Sequence, residues 1–124
     1  MRKLPFYFIG LATVFALIGM AYGMYMAGSQ DHTLAGAHAH LNLLGWVTMA
    51  IFGLYYGVVP SALTRLAAVH FGVTLIANLI FPFGIALAIM GQTPSLAAIG
   101  GALQTLSMLI FAYTVWRHRS AIAA

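Results

Sequence analysis

The 124-residue sequence contains no cysteine and a single acidic residue, Asp31. Without cysteine the chain forms no disulfide, thiolate zinc site, cysteine-ligated iron–sulfur cluster or c-type haem attachment. One carboxylate cannot supply a paired-carboxylate mechanism or a carboxylate-bridged di-metal centre within one chain. Charged residues make up 5% of the sequence and hydrophobic residues 63%, whereas soluble domains carry about 25% charged residues. The composition therefore predicts an integral membrane protein and excludes most hydrolases.

Four stretches are long and apolar enough to cross a bilayer, which takes about 20 mostly apolar residues. They cover residues 5–27, 36–59, 66–90 and 95–116. Pro5 and Pro94 stand where helices can begin, Pro60 closes the second stretch, and Pro82 predicts a kink in the third. No linker or change of composition divides the chain. We therefore predict an all-α protein in which residues 1–124 form one transmembrane domain of four helices.

The basic residues fall on one side of this predicted arrangement. Arg2 and Lys3 precede the first stretch, Arg65 lies between the second and third, and Arg117 and Arg119 follow the fourth. The positive-inside rule then places both termini in the cytoplasm, and we expect the membrane to be a bacterial-type inner (plasma) membrane. Because these residues form no basic stripe, we expect no nucleic-acid partner. A cleavable signal peptide is the alternative for the first stretch, but its apolar run exceeds the usual 7–15 residues of a signal core.

Five histidines beside one carboxylate are the unusual feature of the sequence, because an imidazole inside a membrane is costly unless it is paired or binds a metal. We expect His32, in the outer loop, and His118, between two arginines, to be solvated. His70 lies near the inner end of the third helix, where we expect its imidazole to extend to the interface. At 1.5 Å per residue, about 25–30 Å of depth separates His70 from His38 and His40, so these side chains cannot ligate one iron within a chain.

His38 and His40 stand two residues apart in the predicted second helix, each preceded by alanine. Successive helical residues turn by about 100°, so the two imidazoles point about 200° apart. One helix cannot chelate a single metal with both, but it can offer one ligand to each of two neighbours. Asn42 and Trp46 follow one and two turns deeper. The plainer interpretation is that each imidazole bonds a nearby carbonyl or asparagine, or is hydrated at the interface.

The residues from Ala37 to Trp46 (AHAHLNLLGW) resemble the His-x-His helix of the haem-copper oxidase and nitric oxide reductase catalytic subunit (subunit I). Downstream, Val69-His70-Phe71, Asn78 and Phe81-Pro82 resemble the next helix of that subunit. The resemblance covers the second and third helices, about half the chain. In that family twelve helices form three arcs of four. The resemblance therefore implies a minimal, single-arc relative that assembles as a homotrimer closed head to tail.

Carried over to this sequence, the resemblance implies a haem b at each subunit interface near the outer leaflet. His38 of one subunit and His40 of its neighbour would ligate the iron, and Asn42 and Trp46 would lie beside the cofactor. The copper ligands, cross-linked tyrosine and proton-channel carboxylates of the family have no counterpart here. The resemblance thus implies electron transfer without a copper site or proton pumping, with quinol or a periplasmic electron carrier as a partner. Whether the protein is an enzyme stays open.

Three alternatives remain at this point. If one histidine leaves the iron, the haem could bind or reduce a gas such as O₂ or NO. The chain could instead be a haem-free oligomeric scaffold or channel in which His38 and His40, with His32, bind copper or zinc, since imidazole suits both metals. It could also be an accessory subunit of a larger respiratory complex.

Overall fold

A computed structural model describes residues 1–123, and all regular structure within that range is helical. Four helices are long and apolar enough to cross a membrane: α1 (Leu4–Ser29), α2 (Ala35–Val58), α3 (Arg65–Ile89) and α4 (Ser95–Arg117). A 3₁₀ turn at Pro60–Ala62 follows α2, and a short helix α5 (Arg119–Ile122) follows α4. The four helices begin and end within two residues of the stretches predicted from the sequence.

The helix ends follow from local backbone chemistry. Pro5 lies in the first turn of α1 and Pro94 directly precedes α4, positions where the missing N–H costs nothing. α1 ends at Ser29, and the next residue, Gln30, takes a left-handed conformation (φ 59°). The turn after α3 contains Gly91 at φ 75°, a conformation that glycine adopts without steric cost. Pro82 lies inside α3, which continues through it as one helix.

The middle of α2 is a π-helix over Leu41–Thr48. The Thr48 Oγ1 hydroxyl donates to the carbonyl oxygen of Leu43, five residues earlier, at 2.7 Å. Asn42 lies one turn from His38, as predicted, with its Nδ2 atom 3.0 Å from His38 Nε2, but the regular turn assumed from Asn42 to Trp46 does not hold, because a π segment holds more residues per turn. His38 and His40 precede this segment in regular α-helix, where the argument for opposite faces holds. π segments are rare and frequently occur at functional sites.

Each long helix runs antiparallel to the one before it. The pairing of α2 with α3 is marked by three side-chain contacts: His40 with Phe81, Met49 with Asn78, and Tyr56 with His70. We call the end that carries both chain ends and the α2–α3 connection the terminal end, and the opposite end the loop end.

Two glycines bring the backbones of α3 and α4 close together. A Cβ atom at Gly84 would lie 2.5 Å from the Ala97 backbone nitrogen, and one at Gly100 would lie 2.6 Å from the Phe81 Cα. Small residues at such crossings are the usual means by which membrane helices pack tightly. The α3–α4 pair is thus held by backbone proximity more than by large interlocking side chains.

The buried core lies toward the terminal end, where all four long helices meet. Its centre is built from aromatic rings around one histidine: Phe8 of α1, Phe52 and Tyr56 of α2, His70 of α3 and Phe111 of α4. By contrast, only 11% of the most apolar stretch of α4 is buried within the chain. The outer faces of the helices are therefore left for lipid or for another chain.

Candidate functional site

The imidazole of His38 points toward α1 of its own chain. Its Nε2 atom lies 2.9 Å from the carbonyl oxygen of Gly19 and 3.0 Å from Nδ2 of Asn42. A carbonyl only accepts, so Nε2 carries the proton when it bonds Gly19, and the Asn42 amide then has to present its oxygen. In the other tautomer, Nε2 accepts from the Asn42 amide. In both assignments Nε2 is used inside the chain.

Gly19 and Gly23 of α1 leave room for this pair of side chains. A Cβ atom at Gly23 would lie 3.1 Å from His38 Nε2, and one at Gly19 would collide with the side-chain oxygen of Asn42. The sequence predicted a role for Asn42 beside the histidines, and the structure places its amide against His38. The plainer interpretation, an imidazole bonded to a carbonyl and an asparagine, describes His38 as it stands.

The imidazole of His40 points away from α1, toward the exposed surface beside α3. Its Nδ1–H donates to the carbonyl oxygen of Gly36 at 2.7 Å, one helical turn back. The ring meets Phe81 edge to face with the two centroids 5.2 Å apart. Within residues 1–123, Nε2 of His40 has no hydrogen-bond partner and the side chain is exposed. The opposite orientations predicted from the i, i+2 spacing are thus present.

A haem iron takes an imidazole nitrogen with a free lone pair, and the second ring nitrogen is usually held by a hydrogen-bond acceptor. His40 meets both conditions, because Gly36 fixes Nδ1–H and Nε2 is open. His38 does not offer its Nε2 atom, which bonds Gly19 or Asn42; when Nε2–H donates to Gly19, the nitrogen with the free lone pair is Nδ1. Trp46, the other side chain predicted beside a cofactor, lies in the π segment with 38% of its surface exposed. Of these two imidazoles, His40 is thus the one whose Nε2 atom is free and exposed within residues 1–123.

His70 does not extend to the interface as expected; it is completely buried. Its Nδ1 atom lies 2.9 Å from the Tyr56 hydroxyl and its Nε2 atom 3.2 Å from the Ser107 hydroxyl. The prediction for His70 used only its depth in the membrane and did not include hydrogen-bond partners on other helices. With both ring nitrogens satisfied by α2 and α4, the imidazole has no need to reach water.

The protons in this buried network can be assigned by donor and acceptor capacity. The Thr74 hydroxyl donates to the His70 carbonyl oxygen at 2.7 Å and lies 2.7 Å from the Ser107 hydroxyl. Ser107 therefore donates to Thr74 and accepts from His70 Nε2–H, which leaves Nδ1 to accept from Tyr56. One continuous chain of hydrogen bonds thus runs from Tyr56 through His70 and Ser107 to Thr74, linking three helices.

A second polar contact crosses the bundle nearer its middle. Gln104 Nε2 donates to Asn78 Oδ1 at 2.7 Å, and Asn78 Nδ2 donates to the Met49 sulfur at 3.6 Å. Asn78 is 2% exposed. Asn78 belongs to one of the motifs that resemble the oxidase subunit, and its side chain here links α2, α3 and α4.

The remaining histidines lie near the ends of the bundle. His32 is exposed in the α1–α2 loop, as expected, and its Nδ1 atom lies 3.2 Å from the Gln30 carbonyl oxygen. His118 is only half-buried, and its Nδ1–H donates to the Thr114 carbonyl oxygen at 3.0 Å. In the part of the chain that the structure describes, no three His, Cys, Asp or Glu side chains converge on a point where a metal could bind. A copper or zinc site that combines His32 with His38 and His40 is therefore not formed within one chain.

The single carboxylate stabilises the α1–α2 loop. The Thr33 hydroxyl and backbone N–H both donate to Asp31 Oδ1, at 2.6 and 3.1 Å. These bonds favour the ionised form and hold the pKa of Asp31 below its usual range, the hydroxyl bond contributing most. Asp31 thus serves a local structural role at the loop end.

No protein-family model, curated protein sequence or solved structure matches this chain. Its function is therefore inferred from its own residues and their geometry.

Proposed function

We propose that this chain is a haem b-binding membrane cytochrome, a single-arc relative of the haem-copper oxidase catalytic subunit that assembles as a homotrimer and transfers electrons. The observation that carries the proposal is the state of His40. Its Nε2 atom is free and exposed at the surface, while Gly36 fixes its other nitrogen. This is the form in which an imidazole ligates iron.

The second ligand in this proposal is His38 of the neighbouring subunit. To reach a cofactor outside its own chain, the His38 imidazole has to turn away from Gly19 and Asn42. Hydrogen bonds between membrane helices contribute about 0.6 kcal/mol each on average, so an iron–imidazole bond offsets their loss. The Asn42 amide remains nearby as a hydrogen-bonding group for the displaced ring or for the cofactor.

The same two residues suit a head-to-tail ring of subunits, and the resemblance to the oxidase subunit implies that the ring has three. Because His38 and His40 face opposite sides of α2, each subunit contributes a ligand to two different interfaces. A contact that repeats head to tail closes into a ring when the rotation between subunits allows it, and the three arcs of the oxidase subunit imply three such interfaces. Only 11% of the most apolar stretch of α4 is buried within its own chain. The rest of its surface is available for contact with the next subunit.

A bis-histidine haem b supplies reversible one-electron transfer. The protein's part is to hold the imidazoles and to exclude water with the apolar side chains of α2. With both termini in the cytoplasm of a bacterial-type inner membrane, the loop end and its histidines lie near the outer leaflet. Quinol in the membrane or a periplasmic electron carrier could exchange electrons there.

Gas binding is a second candidate, favoured by the orientation of His38. If its imidazole keeps its bonds inside the chain, His40 would be the single protein ligand of the haem. The haem would then supply binding of O₂, NO or CO. The two candidates differ in whether His38 is needed for haem binding.

Haem content of histidine variants tests the ligands. His38→Ala and His40→Ala should each lose haem in the pyridine haemochrome assay if both residues ligate the iron. His118→Ala is the matched control, because His118 makes the same bond to a carbonyl four residues back but lies at the terminal end. Loss of haem in His40→Ala alone would favour the gas-binding candidate. Full haem content in His40→Ala would refute both.

Co-expression of the two variants tests whether the ligands come from different subunits. In a randomly mixed trimer, about one quarter of the interfaces pair an intact His38 with an intact His40 of the next subunit, as a head-to-tail ring requires. The mixture should therefore recover about a quarter of the wild-type haem. No recovery would mean that the two ligands do not come from different subunits.

A further inference from the structure

A groove at the terminal end lies between the start of α1 and the end of α2. It has a volume of about 650 Å³, and its walls include Pro5, Phe6 and Ile9 on one side and Gly57 and Leu63 on the other. The wall atoms are almost entirely apolar. The one charged side chain that borders the groove is Arg2.

A second, separate groove of about 310 Å³ lies on α1, with Phe6 between the two grooves. Phe6 borders both grooves, and the second extends through Gly10 to Val14. From Arg2 to Val14 the helix rises about 18 Å at 1.5 Å per residue. The acyl chains of one leaflet span about 15 Å, half the hydrocarbon thickness of a bilayer. The combined length therefore suits one extended acyl chain with its headgroup at Arg2.

The charges at this end favour an anionic headgroup. Arg2 and Lys3 both precede α1, while the chain's single acidic side chain, Asp31, follows its far end. In a membrane oligomer whose subunits share one orientation, Asp31 of another copy cannot reach Arg2. The anion that does lie at this depth is the phosphate of a phospholipid, and cationic side chains there attract anionic lipids.

We propose that the two grooves form a binding site for an anionic phospholipid, with an acyl chain along α1 and the headgroup phosphate at Arg2. The side chain of Phe6, which lies between the two grooves, is 70% exposed. It forms the ridge against which the acyl chain packs. The site is independent of the proposed haem ligands, which lie at the loop end.

Native mass spectrometry of the detergent-purified protein tests this site by titration with phosphatidylglycerol and phosphatidylcholine of identical acyl chains. One arginine near a headgroup is worth about 1 kcal/mol, so phosphatidylglycerol should bind roughly fivefold more tightly. Arg2→Gln should abolish that preference. Arg119→Gln is the matched control, because Arg119 is an exposed cation at the same end whose guanidinium donates to the Trp116 carbonyl oxygen.

A second pair of variants tests the apolar groove. A Cβ atom at Gly57 would lie 3.9 Å from the Pro5 Cβ, an ordinary contact, so Gly57→Leu fills the groove without displacing backbone. It should weaken binding of both lipids several-fold. Gly72→Leu, at a position with no neighbouring atom within 4 Å, should leave binding unchanged.

The proposal is wrong if the preference for phosphatidylglycerol survives Arg2→Gln or is lost equally in Arg119→Gln. It is also wrong if Gly57→Leu alters the mass of the oligomer but leaves lipid binding intact, because the groove would then be a contact between copies. Haem content should not change in Arg2→Gln. Failure of the lipid site and failure of the haem proposal are therefore separate results.

Discussion

Truncating His70 should destabilise the protein more than most single substitutions. His70→Ala leaves a cavity among aromatic rings, and truncation of a large core side chain to alanine costs about 2–5 kcal/mol. It also leaves the buried Tyr56 hydroxyl without its partner, at a cost of about 1–3 kcal/mol. Allowing for partial relaxation, we expect the free energy of unfolding to fall by about 3–6 kcal/mol.

The contribution of the Tyr56–His70 hydrogen bond can be separated by a double-mutant cycle. Tyr56→Phe should cost about 0.6–1.7 kcal/mol in the wild-type background, the range measured for hydrogen bonds between membrane helices. In the His70→Ala background it should cost nothing or restore some stability, because it removes the hydroxyl that His70→Ala leaves unpaired. Unfolding in SDS titrations, followed by circular dichroism, gives all four free energies. Tyr113→Phe, which alters an exposed tyrosine, is the control.

The outcome that refutes this account is additivity. If Tyr56→Phe costs the same with and without His70, the two side chains do not interact energetically. If His70→Ala unfolds at the wild-type SDS concentration, the imidazole is not part of the core.

Two further predictions concern packing and the loop. Gly100→Ala should destabilise the protein by about 1–3 kcal/mol, because its Cβ atom would meet the Phe81 backbone. Gly72→Ala, which meets no neighbouring atom, should be nearly neutral. SDS unfolding compares the two variants, and equal effects would contradict the close approach of α3 and α4. The pKa of Asp31 in the folded protein lies below its unfolded value of about 3.9. The ionised side chain therefore contributes to stability above about pH 3.9, and this contribution is lost as the pH falls through the lowered pKa. Thr33→Val should raise the pKa of Asp31 toward its ordinary value. A carbon-13 NMR titration of the chain's one acidic side chain measures it, and an unchanged pKa would contradict the assigned hydrogen bond.

The helices could be predicted from the sequence because twenty apolar residues in lipid have few options besides a helix. Hydropathy and proline positions located all four. The π segment from Leu41 to Thr48 could not be predicted in this way, since it is a shift of hydrogen-bond register with no signature in hydropathy. That shift decides how the residues after His40 are distributed around α2.

The candidate site could be predicted only in part. The opposite orientations of His38 and His40 follow from helical spacing, but the Gly19 carbonyl as the partner of His38 depends on which helix packs against α2. The buried role of His70 was missed, although a signal was available. His70, Thr74 and Asn78 recur every fourth residue on one face of α3, a polar stripe that requires partners on another membrane helix.

The central claim, a haem b held by these histidines, is tested most directly by a dithionite-reduced minus air-oxidised spectrum of the purified protein from cells supplied with haem. The account predicts a sharp b-type α-band that CO does not shift, as expected for a six-coordinate bis-histidine iron. A b-type band shifted by CO would replace electron transfer with the gas-binding candidate. Absence of any haem signal would contradict the proposal and leave a haem-free membrane scaffold.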